Sequence, residues 1–201
     1  PDLDIWVVGG DGDMLSIGGN HLIHALRRNT NINILLFNNQ IYGLTKGQFS
    51  PTSESGKVTK SSPVGLVSEP FNPISVALGA EASFVARSHD MDRKHLQEMF
   101  TRAHRHSGAS FIEVYQNCNV FNDGAFAEIT KKDARDNMLI NLVHGEPIQF
   151  GSEGQFGVVQ TPGGVVIVDV SEVGVESLLV HDETRLNPST AFSIFLLLEY
   201  Q

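Results

Sequence analysis

The chain has 201 residues, 41% of them hydrophobic and 18% charged, with a formal net charge of −9 and a sequence pI near 5.3. This length and composition build a sizeable folded core, and the acidity opposes the phosphate backbone of nucleic acid. No apolar run reaches the roughly 20 residues that a bilayer-spanning helix needs, so neither nucleic acid nor membrane is expected as a partner.

The opening Pro1-Asp2-Leu3-Asp4 has no methionine and runs straight into an apolar stretch. It reads as a chain whose N-terminal portion is missing. No basic segment followed by an apolar one marks a secretory leader, and a cytoplasmic setting is expected. Residues 4–8 read as a buried strand. Residues 17–28 read as a helix, with Ile17, Leu22, Ile23, Ala25 and Leu26 toward one side and Arg27-Arg28 at the end where cations suit the dipole. Asn29-Thr30-Asn31 is a turn, and residues 32–37 form the next strand. Residues 46–70 are rich in Ser, Thr, Pro, Gly and Lys with little apolar periodicity, as in a lid, a binding loop or a disordered segment.

Regular structure resumes with a short helix at 73–79, a strand at 83–86 and an amphipathic helix at 92–106. In the last of these, Leu96, Met99, Phe100 and Ala103 recur at helical spacing and Gly108 follows as a C′ glycine. Residues 110–115 are another strand. Strand–helix alternation of this kind predicts an α/β fold of three layers, a parallel sheet with helices on both faces. Beyond it, residues 120–164 are polar and weakly patterned, with a helix at 131–143. Strands follow at 165–170 and 177–180, and a helix at 190–200 after Pro188. The expected division is a first domain over 1–150 and a C-terminal extension over 151–201 that packs on it or on a partner subunit.

Two short segments carry chemistry together. Gly9-Gly10-Asp11-Gly12 follows the first strand, and Asn38-Asn39 follows the second. If those parallel strands are neighbours, Asp11 and Asn39 meet at one carboxyl edge. A carboxylate and an amide oxygen suit Mg²⁺, which takes oxygen ligands in near-octahedral array, and the Ile41 carbonyl can add a third. Gly12 and Asp13 open a helix, so their N–H groups can face a diphosphate bound by that cation. Gly43 allows a second close backbone approach. A dinucleotide fingerprint is disfavoured, because the third glycine is missing and the second strand ends in asparagines. The Gly-Gly-Asp-Gly turn also resembles that of NAD kinases and diacylglycerol kinases, but that reading leaves Asn38-Asn39 without a role. Both segments at this spacing resemble the signature of thiamine diphosphate enzymes.

A narrower resemblance follows from Ile41-Tyr42-Gly43-Leu44-Thr45-Lys46-Gly47-Gln48, Gly9-Gly10-Asp11-Gly12-Asp13 and Ile17-Gly18-Gly19-Asn20-His21. Together they resemble the β subunit of 2-oxoacid:ferredoxin oxidoreductases, from residue 1 to about residue 150 and again at Leu178-Leu179-Val180-His181-Asp182-Glu183. The resemblance implies Asp11, Asn39 and Ile41 as magnesium ligands, and Gly12, Asp13, Gly43 and Leu44 as contacts of thiamine diphosphate. It further implies one [4Fe–4S] cluster, for which Gln116-Asn117-Cys118 matches the fourth cysteine. Read alone, Cys118 is a small buried hydrophobe. One thiolate does not hold a cubane, so three further cysteines are expected upstream of this chain.

Lys46, read alone a solvated loop residue, sits where the family sets substrate choice. Its ammonium can attract the distal carboxylate of 2-oxoglutarate, which is favoured over pyruvate. The implied activity is oxidative decarboxylation of a 2-oxoacid to an acyl-coenzyme A, with electrons passed to ferredoxin, reversibly and only with the α subunit. No catalytic acid or base is assigned here; the glutamate that activates the cofactor is expected on that partner. Two rivals are a thiamine enzyme without electron transfer (a decarboxylase or acetolactate synthase type) and an inactive cofactor-binding fragment. His21 and His24 are read as packing or supporting residues, and His95, His104 and His106 as solvated or capping ones.

Overall fold

The computed structural model describes residues 3–199; Pro1, Asp2, Tyr200 and Gln201, which include the opening dipeptide and the end of the last expected helix, lie outside them. The chain divides into two compact units, one running through Phe126 and the other beginning at Ala127.

The first unit holds β1 (Trp6–Gly10), α1 (Asp11–Leu15), α2 (Gly19–Arg27), β2 (Asn33–Asn38), α3 (Pro73–Gly79), β3 (Phe84–His89), α4 (Arg93–Arg105) and β4 (Ser110–Tyr115). The four strands form one sheet in the order β1-β2-β4-β3, and every neighbouring pair is parallel. The central strands β2 and β4 are buried along most of their length, which is why they read as nearly unbroken apolar runs. One face packs on α4, where Met99 and Ala103 meet Leu35, Ile112 and Val114. The alternate residues Ile34, Leu36 and Phe111 point the other way and are buried too. α3 touches β3, β4 and α2 without joining the α4 cluster, so helices cover both faces.

The helix expected over 17–28 is α2, which starts two residues later, after a break near Gly18 that separates it from α1. That glycine lies so close to the Asp13 carbonyl and the Met14 backbone that a Cβ would collide with both. Ile17, expected to be buried, is exposed in the break, and the buried side is Leu22 and Leu26. The first strand is shifted two residues along, because its register with β2 runs from Trp6↔Asn33 to Gly10↔Phe37 and draws both glycines into the sheet. Asp4 instead pairs with His104 at 3.2 Å.

Helix α4 starts on a side-chain cap. Asp92 Oδ1 accepts the His95 N–H at 3.0 Å, and this hydrogen bond holds the Asp92 carboxyl below the usual carboxylate range. A carboxyl lowered in the folded state contributes stability that is complete above its unfolded pKa and is lost as the pH falls through the folded one. Asp92→Ala is therefore expected to cost about 1 kcal/mol near neutral pH. The gap to wild type should shrink in strongly acidic solution, as read by denaturant midpoints across pH.

The second unit holds α5 (Ala127–Thr130), α6 (Lys132–Met138), β5 (Gln149–Phe150), β6 (Phe156–Thr161), β7 (Gly164–Asp169), α7 (Val170–Val173), a 3₁₀ turn at Val175–Ser177 and α8 (Ser189–Glu199). β5, β6 and β7 form an antiparallel sheet whose β6–β7 hairpin turns at Pro162-Gly163. Its core is Ile148, Val158, Val165 and Ile194. This placement of Ile148, with the pairing of β5 on β6, carries the stretch before residue 150 into the second unit, and the division falls after Phe126 rather than at 150. The strand expected at 177–180 is no strand: Val180 makes a single bridge to Pro147. The helix expected at 131–143 is the shorter α6, and α5 lies before it.

Candidate metal centre

Because β1 and β2 are parallel neighbours with Gly10 beside Phe37, the chain leaves both strands at the same edge. Asp11 begins α1 there and is only 2% exposed. The Asn39 amide head lies 3.3 Å from Asp11 Oδ1 and 2.7 Å from the Ile41 carbonyl oxygen. With its NH₂ turned inward, the amide donates to both. With its oxygen inward it accepts the Ile41 N–H at 3.3 Å and sets a third oxygen beside those of Asp11 and Ile41. Adjacent ligands on an octahedral Mg²⁺ lie about 2.9 Å apart. The two separations bracket that value, so Asn39 stands at a spacing from Asp11 and from Ile41 that suits neighbouring ligands of such a cation. Without a cation the NH₂-inward orientation makes two hydrogen bonds, and a bound cation would draw the oxygen inward instead.

A shell of buried polar groups backs this set. Thr52 Oγ1 lies 2.8 Å from Asp11 Oδ2 and 2.8 Å from Asn38 Oδ1, so its one proton is shared between two acceptors. Ser50 Oγ lies 3.2 Å from Thr52 Oγ1, and Ser53 Oγ donates to the Gln40 carbonyl at 2.6 Å. Asn38 Nδ2 donates to Glu113 Oε1 at 2.7 Å, and Arg87 Nε meets Glu113 Oε2 at 2.7 Å. Glu113 is wholly buried, so the guanidinium and the amide together compensate a charge that would otherwise be costly there. Sequence reasoning named Asn38 only as part of the Asn-Asn pair and missed Thr52 and Glu113. One signal was available: a lone carboxylate inside the apolar run of β4.

Gly12 belongs to the same edge. The Tyr42 hydroxyl donates to its carbonyl at 2.7 Å, and the Tyr42 ring lies where a Cβ would sit, so only glycine lets the two loops close on each other. Asp13 is exposed on α1; its carboxylate would repel a diphosphate, and only its N–H suits one. Gly43 is half-buried with room for a Cβ. Residues 42–48 form a small hairpin closed by a Tyr42–Gln48 bridge. Leu44, 99% exposed, and Lys46, with a φ of +75°, stand at its tip. The structure thus gathers Asp11, Gly12, Asn39 and Ile41, while Leu44 and Lys46 project from them.

Cys118 is half-buried in a turn whose Asn122 N–H bonds the Cys118 carbonyl at 2.9 Å. Asn122 Nδ2 also donates to the Asn39 carbonyl at 3.0 Å, tying the cysteine turn to the loop after β2. Among the described residues no group of three His, Cys, Asp or Glu side chains is placed to hold a metal. A single thiolate does not fit a cubane cluster by itself. His21 and His24 are exposed rather than packed. His95 and His106 do more than cap: Nδ1 of His95 meets Ser88 Oγ at 2.8 Å and Nε2 of His106 meets Ser83 Oγ at 2.7 Å.

Residues 1–114 match the family model described as thiamine pyrophosphate enzyme, C-terminal TPP binding domain. The chain belongs to the thiamine pyrophosphate enzymes. The match covers every residue of the gathered edge and stops short of Cys118. The chain is 54% identical over 193 residues to 2-oxoglutarate oxidoreductase subunit KorB of Mycobacterium tuberculosis, covering 96% of this chain and 52% of that relative. It is 45% identical over 123 residues to a 2-oxoacid:ferredoxin oxidoreductase β subunit of Saccharolobus solfataricus, covering 61% of this chain and 40% of the relative. The fold matches a solved 2-oxoglutarate:ferredoxin oxidoreductase from Magnetococcus marinus, with 2-oxoglutarate, coenzyme A and succinyl-CoA bound, at a TM-score of 0.62 and 36% identity, over 71% of this chain and 47% of that one. The chain spans about half the length of these relatives. Among the described residues no helix is long and apolar enough to cross a membrane.

Proposed function

We propose that this chain holds the magnesium and diphosphate end of thiamine diphosphate in the β subunit of a 2-oxoacid:ferredoxin oxidoreductase. The observation that carries this reading is the meeting of the Asp11 carboxylate, the Asn39 amide head and the Ile41 carbonyl, inside a domain that matches the thiamine pyrophosphate enzymes. Thiamine diphosphate, when bound, supplies the carbanion chemistry that separates carbon dioxide from a 2-oxoacid. The protein's part is orientation and electrostatics. Asp11, Asn39 and Ile41 would hold the cation, and the N–H groups of Gly12 and Asp13 at the start of α1 would meet the phosphates. Gly43 and Leu44 would border the cofactor from the second loop.

The substrate class is a 2-oxoacid, with 2-oxoglutarate favoured. Lys46, at the exposed tip of its hairpin, is placed to meet a second carboxylate once a partner subunit closes over the edge. The acyl group passes to coenzyme A and the electrons to ferredoxin. Cys118 would provide one ligand to a [4Fe–4S] cluster whose other three thiolates come from outside these 201 residues. The α subunit would complete the active site, in a cytoplasmic complex.

The test is to assemble the chain, within its complete β subunit, with the α subunit and to follow reduction of ferredoxin. Reduction should require Mg²⁺, thiamine diphosphate, 2-oxoacid and coenzyme A together. It should be faster with 2-oxoglutarate than with pyruvate, and Lys46→Gln should narrow that ratio roughly tenfold. Turnover without ferredoxin reduction, from an enzyme free of iron and sulfide, would make it a non-redox thiamine enzyme; no turnover at all would leave an inactive binding fragment.

A further inference from the structure

We propose that Thr52 is a positioning residue that makes Asp11 a one-oxygen ligand and so sets a preference for Mg²⁺ over Ca²⁺, an inference that rests on the cofactor reading above. The two carboxylate oxygens of Asp11 have different partners. Oδ1 faces the Asn39 amide head at 3.3 Å, and Oδ2 is bound by Thr52 Oγ1 at 2.8 Å. Rotating the carboxylate to offer both oxygens to one cation would break the Thr52 hydrogen bond inside a buried pocket, where an unmade bond to a charged group is expensive.

Thr52 is in no position to follow such a rotation. It is buried between Ser50 and Ser53, which are buried as well. The Ser50 N–H donates to Ser53 Oγ at 2.8 Å, Ser53 Oγ donates to the Gln40 carbonyl at 2.6 Å, and the Pro51 carbonyl accepts the Phe71 N–H at 2.7 Å. Its second acceptor, Asn38 Oδ1, is fixed in turn by the Gln40 N–H at 3.1 Å and, through Nδ2, by Glu113. The turn therefore stands as a fixed stop behind Asp11.

Cation chemistry turns that stop into selectivity. Mg²⁺ accepts single oxygens in a tight octahedron, whereas Ca²⁺ takes more ligands at longer distances and readily binds a carboxylate through both oxygens. A carboxylate held to one free oxygen serves the smaller ion and deprives the larger one of a ligand.

The test uses the complete enzyme, stripped of metal by chelation and titrated separately with Mg²⁺ and with Ca²⁺ at saturating thiamine diphosphate. The readout is cofactor retained through gel filtration, measured as thiochrome fluorescence. Thr52→Val, which keeps the shape and removes the hydroxyl, should raise the half-saturating Mg²⁺ concentration roughly tenfold or more. It should also narrow the ratio between the two ions. Thr52→Ser, which keeps the hydroxyl, should stay close to wild type on both counts.

Wild-type values for Thr52→Val, or an equal shift for Thr52→Ser, would overturn the proposal. If Thr52→Val does not assemble, Thr52→Ala carries the same expectation against the same serine control. Wild-type retention indifferent to any divalent cation would overturn the cofactor reading itself. Mg²⁺-dependent retention left unaltered by the valine removes the Thr52 inference alone.

Discussion

Asp11→Ala should strip the assembled enzyme of thiamine diphosphate while leaving the fold in place. The carboxylate is the only charged group in the gathered oxygen set of Asp11, Asn39 and Ile41, so its loss removes both a ligand and the charge that attracts the cation. Losing a supporting partner of a metal ligand typically costs roughly 10–100-fold in affinity, and losing the ligand itself should cost more. The fold survives because Thr52 keeps an acceptor: with Asp11 gone, its hydroxyl still has Asn38 Oδ1 at 2.8 Å. Cofactor retention measured beside thermal melting separates the two effects. A melting temperature close to wild type with lost retention supports the assignment, and undiminished retention contradicts it.

Arg87→Ala should strongly destabilise the first unit. It leaves Glu113, wholly buried, with the Asn38 amide as its remaining named partner. It also removes a guanidinium that lies over the Tyr115 ring at 4.7 Å. Breaking a buried pair commonly costs 3–5 kcal/mol; Arg87 is 24% exposed, which places the expectation at about 3 kcal/mol. In a chain of this size that lowers the melting temperature by roughly 6–12 °C. The cause can be isolated with a second change. Glu113→Gln keeps an acceptor for Asn38 and removes the stranded charge, so Arg87→Ala combined with Glu113→Gln should be more stable than Arg87→Ala alone. If the double variant is worse, the unpaired charge is not what destabilises the single one.

The sheet and the meeting of Asp11 with Asn39 were legible in the sequence for specific reasons. β2 and β4 are central and buried, so their apolar runs announce them, and α4 carries a regular stripe with an aspartate cap. Asp11 and Asn39 could be brought together on paper because parallel neighbouring strands end at one edge, and the register of β1 with β2 places them there. What local pattern does not carry is the support behind them. Thr52 reaches Asp11 across 41 positions and Asn38 reaches Glu113 across 75, and no periodicity links such residues.

The polar loop that looked featureless is ordered by its Ser50–Ser53 hydroxyl turn, a short-range device. The later start of α2, after Gly18, was hidden because a close backbone approach leaves no mark except the glycine itself. The β6–β7 hairpin was missed on its first strand, where Gln160 and the flanking polar residues concealed alternation that the Pro162-Gly163 turn should have exposed.

The most direct test of the centre is a crystal structure of the complete enzyme with Mg²⁺ and thiamine diphosphate. One octahedral cation is expected, bound by Asp11 Oδ1, Asn39 Oδ1 and the Ile41 carbonyl, each at about 2.1 Å, with Asp11 Oδ2 still on Thr52. A cation bound elsewhere, or an Asn39 that turns its NH₂ toward Asp11 in the loaded enzyme, would contradict this.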